Sequence, residues 1–269
     1  MDSVISDQEF KLFRDLIYQI AGINLSDSKK VMLAGRLQRR LRQHNLPTFM
    51  HYYRMLESGR NPEEMQVMVD LLTTNETYFF REPAHFDFVR KELLPEAGKT
   101  GTFRVWSAAS SSGEEAYTLA MTLAEYLSNT AWEIFGSDIS TQVLSKARAA
   151  HYPLERIEGI PPAFLGKYCL KGVRSQAGTF MICPELRRRV TFAQVNLTQP
   201  IRREIGLFDV IFLRNVMIYF DPETKQKVIA NLIPQLKPGG HFIVGHSESL
   251  HGLTTMLSQV RPTIYRKPG

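Results

Sequence analysis

The stretch from Phe103 to Tyr117 constrains the fold more than any other part of this chain. Phe103 to Ser107 reads as a short apolar strand, Ala108 to Gly113 is a run of tiny residues that fill no space, and Glu114 to Ser128 reads as a helix with Leu119, Leu123 and Leu127 along one face. Strand, small-residue turn and helix form the opening unit of an open α/β sheet, in which ligands lie beyond the carboxyl ends of the strands. Small residues let a ligand approach the backbone, and the helix N-terminus offers free N–H groups and a partial positive charge. An ordinary βα turn that binds nothing has the same pattern, so the turn alone is weak evidence of a ligand.

A second strand, Trp132 to Ser140, carries an acid, Asp138, 25 positions after Gly113. An acid there commonly accepts hydrogen bonds from both hydroxyls of a ribose; a helix cap beside Ser140 is the plainer explanation. The turn from Ser110 to Glu115 lacks G-x-G-x-x-G, so a dinucleotide pyrophosphate matches it poorly. A nucleoside without phosphate fits better, and S-adenosylmethionine is the common one.

The chain divides by pattern around this unit. Residues 1 to about 73 carry four helical signals and no strand, which predicts a separate N-terminal helical domain. Ser6-Asp7-Gln8-Glu9 is a capping box, Phe10, Phe13, Ile17 and Ile20 follow at helical spacing, and Gly22 ends the helix. A second helix spans about Ser28 to His44, with Val31, Ala34, Leu37 and Leu41 as the expected buried stripe. Lys29, Arg36, Arg39 and Arg40 group on another face of it. Helices from Phe49 to Ser58 and Pro62 to Leu72 follow, the latter opened by Asn61 and Pro62.

Residues 74–269 read as the second domain. An irregular Asn75 to Arg81 and a helix from Ala84 to Leu94 precede the Gly113 unit, and a helix capped by Ser140 runs to Ala150. Residues 151 to 171 read as a Pro-punctuated helical stretch, and about 172–190 as a small antiparallel β insertion around Gly172 to Gly178. Strands follow at Val190 to Val195, Phe208 to Leu213 and His241 to Gly245, with a helix from Asp221 to Leu236 between the last two. A helix near Leu250 to Ser258 and a strand near Thr263 to Arg266 finish the sheet. Such alternation means an α/β fold with a mostly parallel sheet.

A hydrophobic share of 43% and a charged share of 22% are those of a globular protein. Cys169 and Cys183 show no C-x-x-C spacing, so neither a disulfide framework nor a metal site is expected, which suits a cytoplasmic setting. Met1 to Asp7 has neither the basic start nor the apolar core of a signal peptide. No apolar run approaches the roughly 20 residues of a membrane helix, because Arg214 and Asn215 break the best candidate. The net charge of +6 points to an acidic partner without choosing among nucleic acid, lipid and protein.

Three segments resemble the chemotaxis receptor methyltransferases, the CheR family. They are Trp106-Ser107-Ala108-Ala109 with Ser112-Gly113-Glu114-Glu115, the run Thr74 to Glu82 (T-N-E-T-Y-F-F-R-E), and Phe208 to Phe220 (F-D-V-I-F-L-R-N-V-M-I-Y-F). The likeness extends from the first helices to the last strand, and the last two segments are long and specific. It implies a Rossmann-like class I methyltransferase sheet, S-adenosylmethionine as cofactor and S-adenosylhomocysteine as product. It also implies methyl transfer to glutamate carboxylates on the cytoplasmic helical bundle of bacterial chemoreceptors, by a monomer that binds no nucleic acid.

Residue by residue, the resemblance places Glu115 against the amino group of the methionine moiety. Asn196 with Leu197, and Asn215 with Val216, fall where adenine and the sulfonium lie, while Asn75, Thr77 and Arg81 reach the ligand from the segment between domains. Arg81 is the candidate to orient the substrate carboxylate, because its planar fork matches two oxygens. Tyr219, expected to face opposite Ile218 and Phe220 on an extended segment, is the candidate to fix the second oxygen or the methyl trajectory. The Lys29, Arg36, Arg39 and Arg40 ridge is expected to dock an acidic receptor helix. Whether the β insertion tethers a receptor C-terminal peptide, as in some family members, stays open.

Plainer roles exist for each: Glu115 suits any helix N-terminus, both asparagines suit Asx turns, Arg81 suits a surface ion pair, Tyr219 a core, and the basic ridge a solvated helix face. Nucleic-acid and glutamine N-methyltransferases resemble one another in N/D-P-P-Y, where this chain has Asn215-Val216-Met217-Ile218. A small-molecule O-methyltransferase needs no basic helical domain, and a non-catalytic relative is expected to lose Arg81 or Tyr219. The alternative reading is an S-adenosylmethionine-dependent methyltransferase acting on another acidic protein or on nucleic acid.

Overall fold

The computed structural model describes residues 4–97, 101–127 and 130–269. Four helices open the chain. Helix α1 (Asp7–Ala21) begins at the Ser6 capping box, in which Ser6 N donates to Glu9 Oε2 at 2.9 Å, and ends at Gly22. Helices α2 (Lys30–Gln43), α3 (Phe49–Glu57) and α4 (Pro62–Leu72) pack with it, the last two capped by Thr48 and Asn61. Phe13 stacks on Tyr52 in their core with ring centroids 5.9 Å apart.

The buried stripe of α2 differs from expectation. Leu33, Leu37 and Leu41 are buried, whereas Val31 is 83% exposed and Ala34 is only half-buried. Three leucines at i, i+4 and i+8 bury more apolar surface than a stripe begun on Val31 and Ala34, so they set the phase. That phase also breaks the expected basic ridge. Arg36 Nη1 donates to Leu71 O at 3.1 Å and Thr73 O at 2.9 Å, closing the C-terminal end of α4. Arg40 pairs with the buried Glu64. Lys29 and Arg39 remain exposed.

After α5 (Pro83–Phe88), the expected helix tightens and widens by turns, through a π turn (Val89–Leu93) and a 3₁₀ turn (Leu94–Glu96). The sheet begins with β1 (Phe103–Ser107), α6 (Glu114–Tyr126), β2 (Trp132–Asp138) and α7 (Thr141–Ala149). The expected end of α6 at Ser128 lies outside the described residues. A small antiparallel sheet follows, from β3 (His151–Pro153), β4 (Cys169–Lys171) and β5 (Thr179–Ile182) in the order β3-β5-β4, with α8 (Pro162–Tyr168) inside it and α9 (Pro184–Arg187) after it. Its strands therefore start at residue 151, not near 172. Three-residue strands are too short to display alternation, so β3 and β4 read as part of the Pro-rich stretch.

The main sheet then adds β6 (Val190–Gln194), β7 (Phe208–Leu213), α10 (Pro222–Leu232), β8 (Leu236–Val244), β9 (Ser258–Arg261) and β10 (Ile264–Arg266). No helix forms over 250–258, where Gly252, Thr254 and Thr255 are poor helix formers. The strand order is β6-β2-β1-β7-β8-β10-β9, parallel from β6 to β8, with β10 antiparallel to both β8 and β9. The chain steps outward from β1 to β6 and returns to β7 on the other side of β1. The winding reverses between β1 and β7, where an open α/β sheet leaves a crevice.

The helices close over that end of the sheet. Tyr18 Oη donates to Asp221 Oδ2 at 2.8 Å, Asn24 N donates to Tyr219 O at 2.8 Å, and the Asp70 carboxylate accepts Thr141 N at 2.9 Å and Gln142 N at 3.2 Å, capping α7 from outside. One apolar cluster runs from Phe13 and Leu72 to Trp106, Phe208 and Phe242. Among the described residues, no helix is long and apolar enough to cross a membrane.

Glu64 is the polar centre of the helical unit. Its carboxylate, 3% exposed, accepts Arg40 Nε at 2.7 Å and Tyr52 Oη at 2.7 Å, is paired with Arg40 Nη2, and lies 3.0 Å from His44 Nε2. Burial opposes its charge, but the bonds from Arg40, Tyr52 and His44 outweigh that and hold its pKa below the ordinary 4.5. Arg40→Ala leaves this carboxylate without its cation and should cost about 3–5 kcal/mol at pH 7, read as a lower urea midpoint. Because the folded pKa is depressed, the contribution is present at neutral pH and is lost as the pH falls below 4.5 through the folded value. Wild type and variant should thus converge in acid; equal midpoints at pH 7 would contradict the role given to the pair.

Candidate active site

The turn after β1 is held by polar groups inside the sheet. Trp106 Nε1 donates to Ser137 Oγ at 2.9 Å, and that hydroxyl donates to Ala108 O at 3.0 Å. Ala108 N donates to Phe212 O of β7 and Ser110 N to Ser137 O of β2, each at 2.8 Å, so the turn is stitched to both neighbouring strands. Gly113 enters α6 at φ 96°, where a Cβ would lie 3.0 Å from Ala147 Cβ and 3.1 Å from Tyr152 Oη. Only glycine suits both the angle and the space.

Asp138 ends β2 with 9% exposure. Its Oδ2 accepts Ser111 N at 2.9 Å and its Oδ1 accepts Ser140 N at 3.0 Å. Burial raises its pKa against the pull of these backbone donors. The acid is thus a local brace as well as a wall of the site. Each oxygen keeps a further lone pair, and a pair of ribose hydroxyls would supply two donors.

Arg214 follows β7 with its side chain 1% exposed, between two acids. Nη2 is 3.1 Å from Glu82 Oε2 and Nη1 is 3.2 Å from Glu115 Oε2. Nη2 also donates to Arg81 O, and the guanidinium lies 5.3 Å from the Phe86 ring centroid. The contact with Glu115 is an ion pair outside hydrogen-bond alignment, since Nη1, like Nε, has no hydrogen-bond partner. Ser107 Oγ donates to Glu115 Oε1 at 2.7 Å. Burial raises the pKa of Glu115 and Arg214 opposes this. At Glu82, burial is outweighed by Arg214 and Asn215, and the pKa is lowered.

Asn215 stands at φ 57°, its N donating to Glu248 Oε2 at 2.8 Å and its Nδ2 to Glu82 Oε1 at 3.1 Å. Glu248 also accepts Met217 N and Gly245 N, each at 2.8 Å, so one buried carboxylate binds the loops after β7 and β8 together. A Cβ on Gly245 would come within 2.7 Å of Asn215 Nδ2, and glycine is required by that approach. The clamp on Met217 N accompanies a correction at Tyr219. Met217–Tyr219 is a 3₁₀ turn closed by Tyr219 N donating to Val216 O at 3.1 Å, not an extended segment. Tyr219 is half-buried, and Ile218 points to solvent.

Arg81 lies between Phe80 and Glu82, both in the left-handed region at φ 56° and 58°. Its Nη1 donates to Glu76 O at 3.0 Å and its guanidinium lies 5.5 Å from the Tyr78 ring centroid. The anchor uses one of the five N–H donors of an arginine fork.

These elements surround a cavity of about 530 Å³, within the usual range of small-molecule sites. Asn75, Thr77, Arg81, Glu115 and Asp138 border it. So do Asn196, Leu197, Asn215, Val216 and Tyr219, and also Lys29. Arg36, Arg39 and Arg40 do not. Asn196 is an Asx turn as well, accepting Thr198 N at 3.0 Å, and its Nδ2 donates to Ile20 O at 2.6 Å, so its amide joins the sheet to α1. Glu82, Arg214 and Glu248 were missed in the sequence. The first two lie inside the diagnostic runs, but nothing local marks a carboxylate that will meet an arginine far along the chain.

The polar groups that border this cavity, two acids and several amides among them, are of the kind that the ribose hydroxyls, amino group and base of S-adenosylmethionine would pair with. Two family models match the chain. The CheR methyltransferase, all-alpha domain, covers residues 8–73, and the CheR methyltransferase, SAM binding domain, covers residues 75–266. The chemotaxis protein methyltransferase of Escherichia coli (strain K12) is 42% identical over 263 residues, 97% of this chain and 91% of its own. That of Borreliella burgdorferi is 35% identical over 273 residues, 98% of this chain and 95% of its own. Among solved structures, the N-methyltransferase NodS of Bradyrhizobium japonicum aligns at 15% identity with a TM-score of 0.43, covering 74% of this chain and 95% of that one. Matched almost end to end by both family models and by relatives of this identity, the chain belongs to the CheR methyltransferase family and is an S-adenosylmethionine-dependent methyltransferase.

Proposed function

We propose that this chain transfers the methyl group of S-adenosylmethionine to glutamate carboxylates on the cytoplasmic helical bundle of bacterial chemoreceptors, giving glutamate methyl esters. The observation that carries the reading is a single cavity bordered by Asp138 and Glu115 and also by Arg81 and Tyr219. The bound cofactor supplies an electrophilic methyl on a cationic sulfur. Asp138 accepts the ribose hydroxyls, and Glu115, kept beside Arg214, accepts the amino group. Asn75, Thr77, Asn196, Leu197, Asn215 and Val216 line the remaining contacts.

The chain needs no general base. A glutamate with an unperturbed pKa near 4.3 arrives as an anion. Its residues contribute placement, an effect that reaches roughly 7–11 kcal/mol in favourable cases. Arg81, steadied by Glu76 O and the Tyr78 ring, presents its fork to the carboxylate, and Tyr219 sets the second oxygen or the line of transfer. Arg81 must orient without over-stabilising the ground state, because equal binding of ground and transition states does not accelerate the chemistry. The exposed Lys29 and Arg39 meet the acidic receptor helix. A receptor C-terminal peptide is accommodated along β4, an edge strand of the small sheet whose Leu170 and Lys171 are exposed, by strand addition.

Incubation with radiolabelled cofactor and chemoreceptor-containing membranes should place base-labile label on the receptor; label in nucleic acid, or none on the receptor, would favour the alternative substrate class. In calorimetry, Asp138→Ala should weaken S-adenosylhomocysteine binding by about tenfold or more, the loss expected for a charged hydrogen-bond acceptor. Unchanged affinity would put the ribose elsewhere. Arg81→Lys keeps the charge and loses the fork, and should lower turnover at saturation on the order of 100-fold with product affinity little altered. The opposite pattern, intact turnover with lost product binding, would make Arg81 a cofactor ligand only.

A further inference from the structure

Beside the Glu82–Arg214 pair lie two histidines that methyl transfer leaves without a task. His85, in the first turn of α5, is 2% exposed, and His246, in the loop after β8, is largely open to solvent. Their ring centroids are 5.0 Å apart. Glu82 Oε2 is 3.4 Å from His85 Nδ1 and 4.0 Å from His246 Nε2, and one ligand atom from each residue falls within 4.8 Å of the other two. None of the three residues borders the cavity described above.

The hydrogen bonds fix the tautomer of His85. Its Nε2 is 2.8 Å from Thr263 Oγ1, and that hydroxyl donates its only proton to Pro262 O at 2.6 Å. Thr263 must therefore accept, and His85 Nε2 carries the ring proton. Nδ1 is left as a bare lone pair, buried with no hydrogen-bond partner, 3.4 Å from a carboxylate oxygen. Two acceptors face each other away from water, an arrangement that native interiors avoid. A cation that accepts both lone pairs relieves it.

The spacing suits such a cation. Tetrahedral bonds of about 2.1 Å to nitrogen and oxygen set neighbouring ligand atoms ~3.4 Å apart, the separation of His85 Nδ1 and Glu82 Oε2. His246 Nε2 stands 4.0 Å from that oxygen, so its exposed ring would have to turn to close the gap. Arg214 Nη2 and His246 N already reach Glu82 Oε2, at 3.1 and 3.2 Å, so an ion shares that oxygen with them, while Oε1 stays on Asn215.

We propose that Glu82 Oε2, His85 Nδ1 and His246 Nε2 bind one divalent transition-metal ion of zinc-like preference, with a solvent molecule in the remaining position. Two imidazoles and a carboxylate are a ligand set typical of that class. The ion clasps the segment that carries Arg81 to the loop whose Glu248 holds Asn215. It stands outside the methyl-transfer cavity and does not depend on which substrate is methylated.

The full chain, free of any affinity tag and stripped with a chelator, is titrated with Zn²⁺ by calorimetry and with Co²⁺ followed by visible absorption. One Zn²⁺ per chain, a raised unfolding temperature and the intense visible bands of four-coordinate Co²⁺ are expected. His246→Ala, at an exposed position, should keep the metal-free unfolding temperature and lose Zn²⁺ affinity by at least about 100-fold, more than an outer-shell change usually costs. It should also lose the Co²⁺ bands, as should His85→Ala, whereas His51→Ala and His251→Ala should bind as wild type. Absence of binding in the wild-type chain, or full affinity in His246→Ala, would overturn the proposal.

Discussion

The charge that organises this molecule is the buried guanidinium of Arg214. It sits where the winding of the sheet reverses, and three separate stretches converge on it: the 81–82 segment, the start of α6 through Glu115, and the end of β7. A desolvated arginine with one carboxylate removed becomes costly, so each partner keeps the others in place. Glu82 then fixes Asn215, and Glu248 fixes the next loop. The cavity wall is therefore a set of mutually dependent polar contacts built on a conventional apolar sheet, with Trp106 and Ser137 anchoring the opposite shoulder.

What could be read from the sequence follows the range of the interaction that decides it. The Ser6 capping box, the Asn61–Pro62 start and the strand from Phe208 to Leu213 are local patterns and stand in the structure as expected. Asp138 and Glu115 stand at a strand end and a helix start, positions marked within a few residues of sequence, and both border the cavity. The surface placing of Arg40 and the extended conformation at Tyr219 were misread for the reverse reason. The basic helix shows its charges but not that Glu64, 24 positions on, takes one of them into the interior. The turn at Tyr219 depends on Glu248, which binds Met217 N from 31 positions away. Val31 failed on phase alone, since an error of two residues moves a side chain by about 200° around a helix.

The helices at the N-terminus do more than add mass to one face. Ile23, Leu25 and Met32 border the cavity together with Asp138 and Val195, so the site is completed by chain from both halves. A ligand that touches both sides stabilises their contact by the amount it prefers the closed arrangement. A cofactor seated across both sides would link its occupancy to the docking of the helices on the sheet, although each has its own core contacts.

The short connection from Ala21 to Ser26 has two faces. On its inner side Ile23 and Leu25 form cavity floor, while Asn24 N holds the Tyr219 carbonyl and Ile20 O, just before it, holds the Asn196 amide. On its outer side it leads directly into α2, where Lys29 and Arg39 face solvent. A load applied to α2 would therefore reach, one hydrogen bond away, Tyr219 and Asn196 on the cavity wall. Surface and interior are joined here by a single lever, through which a displacement of one would be felt as strain in the other.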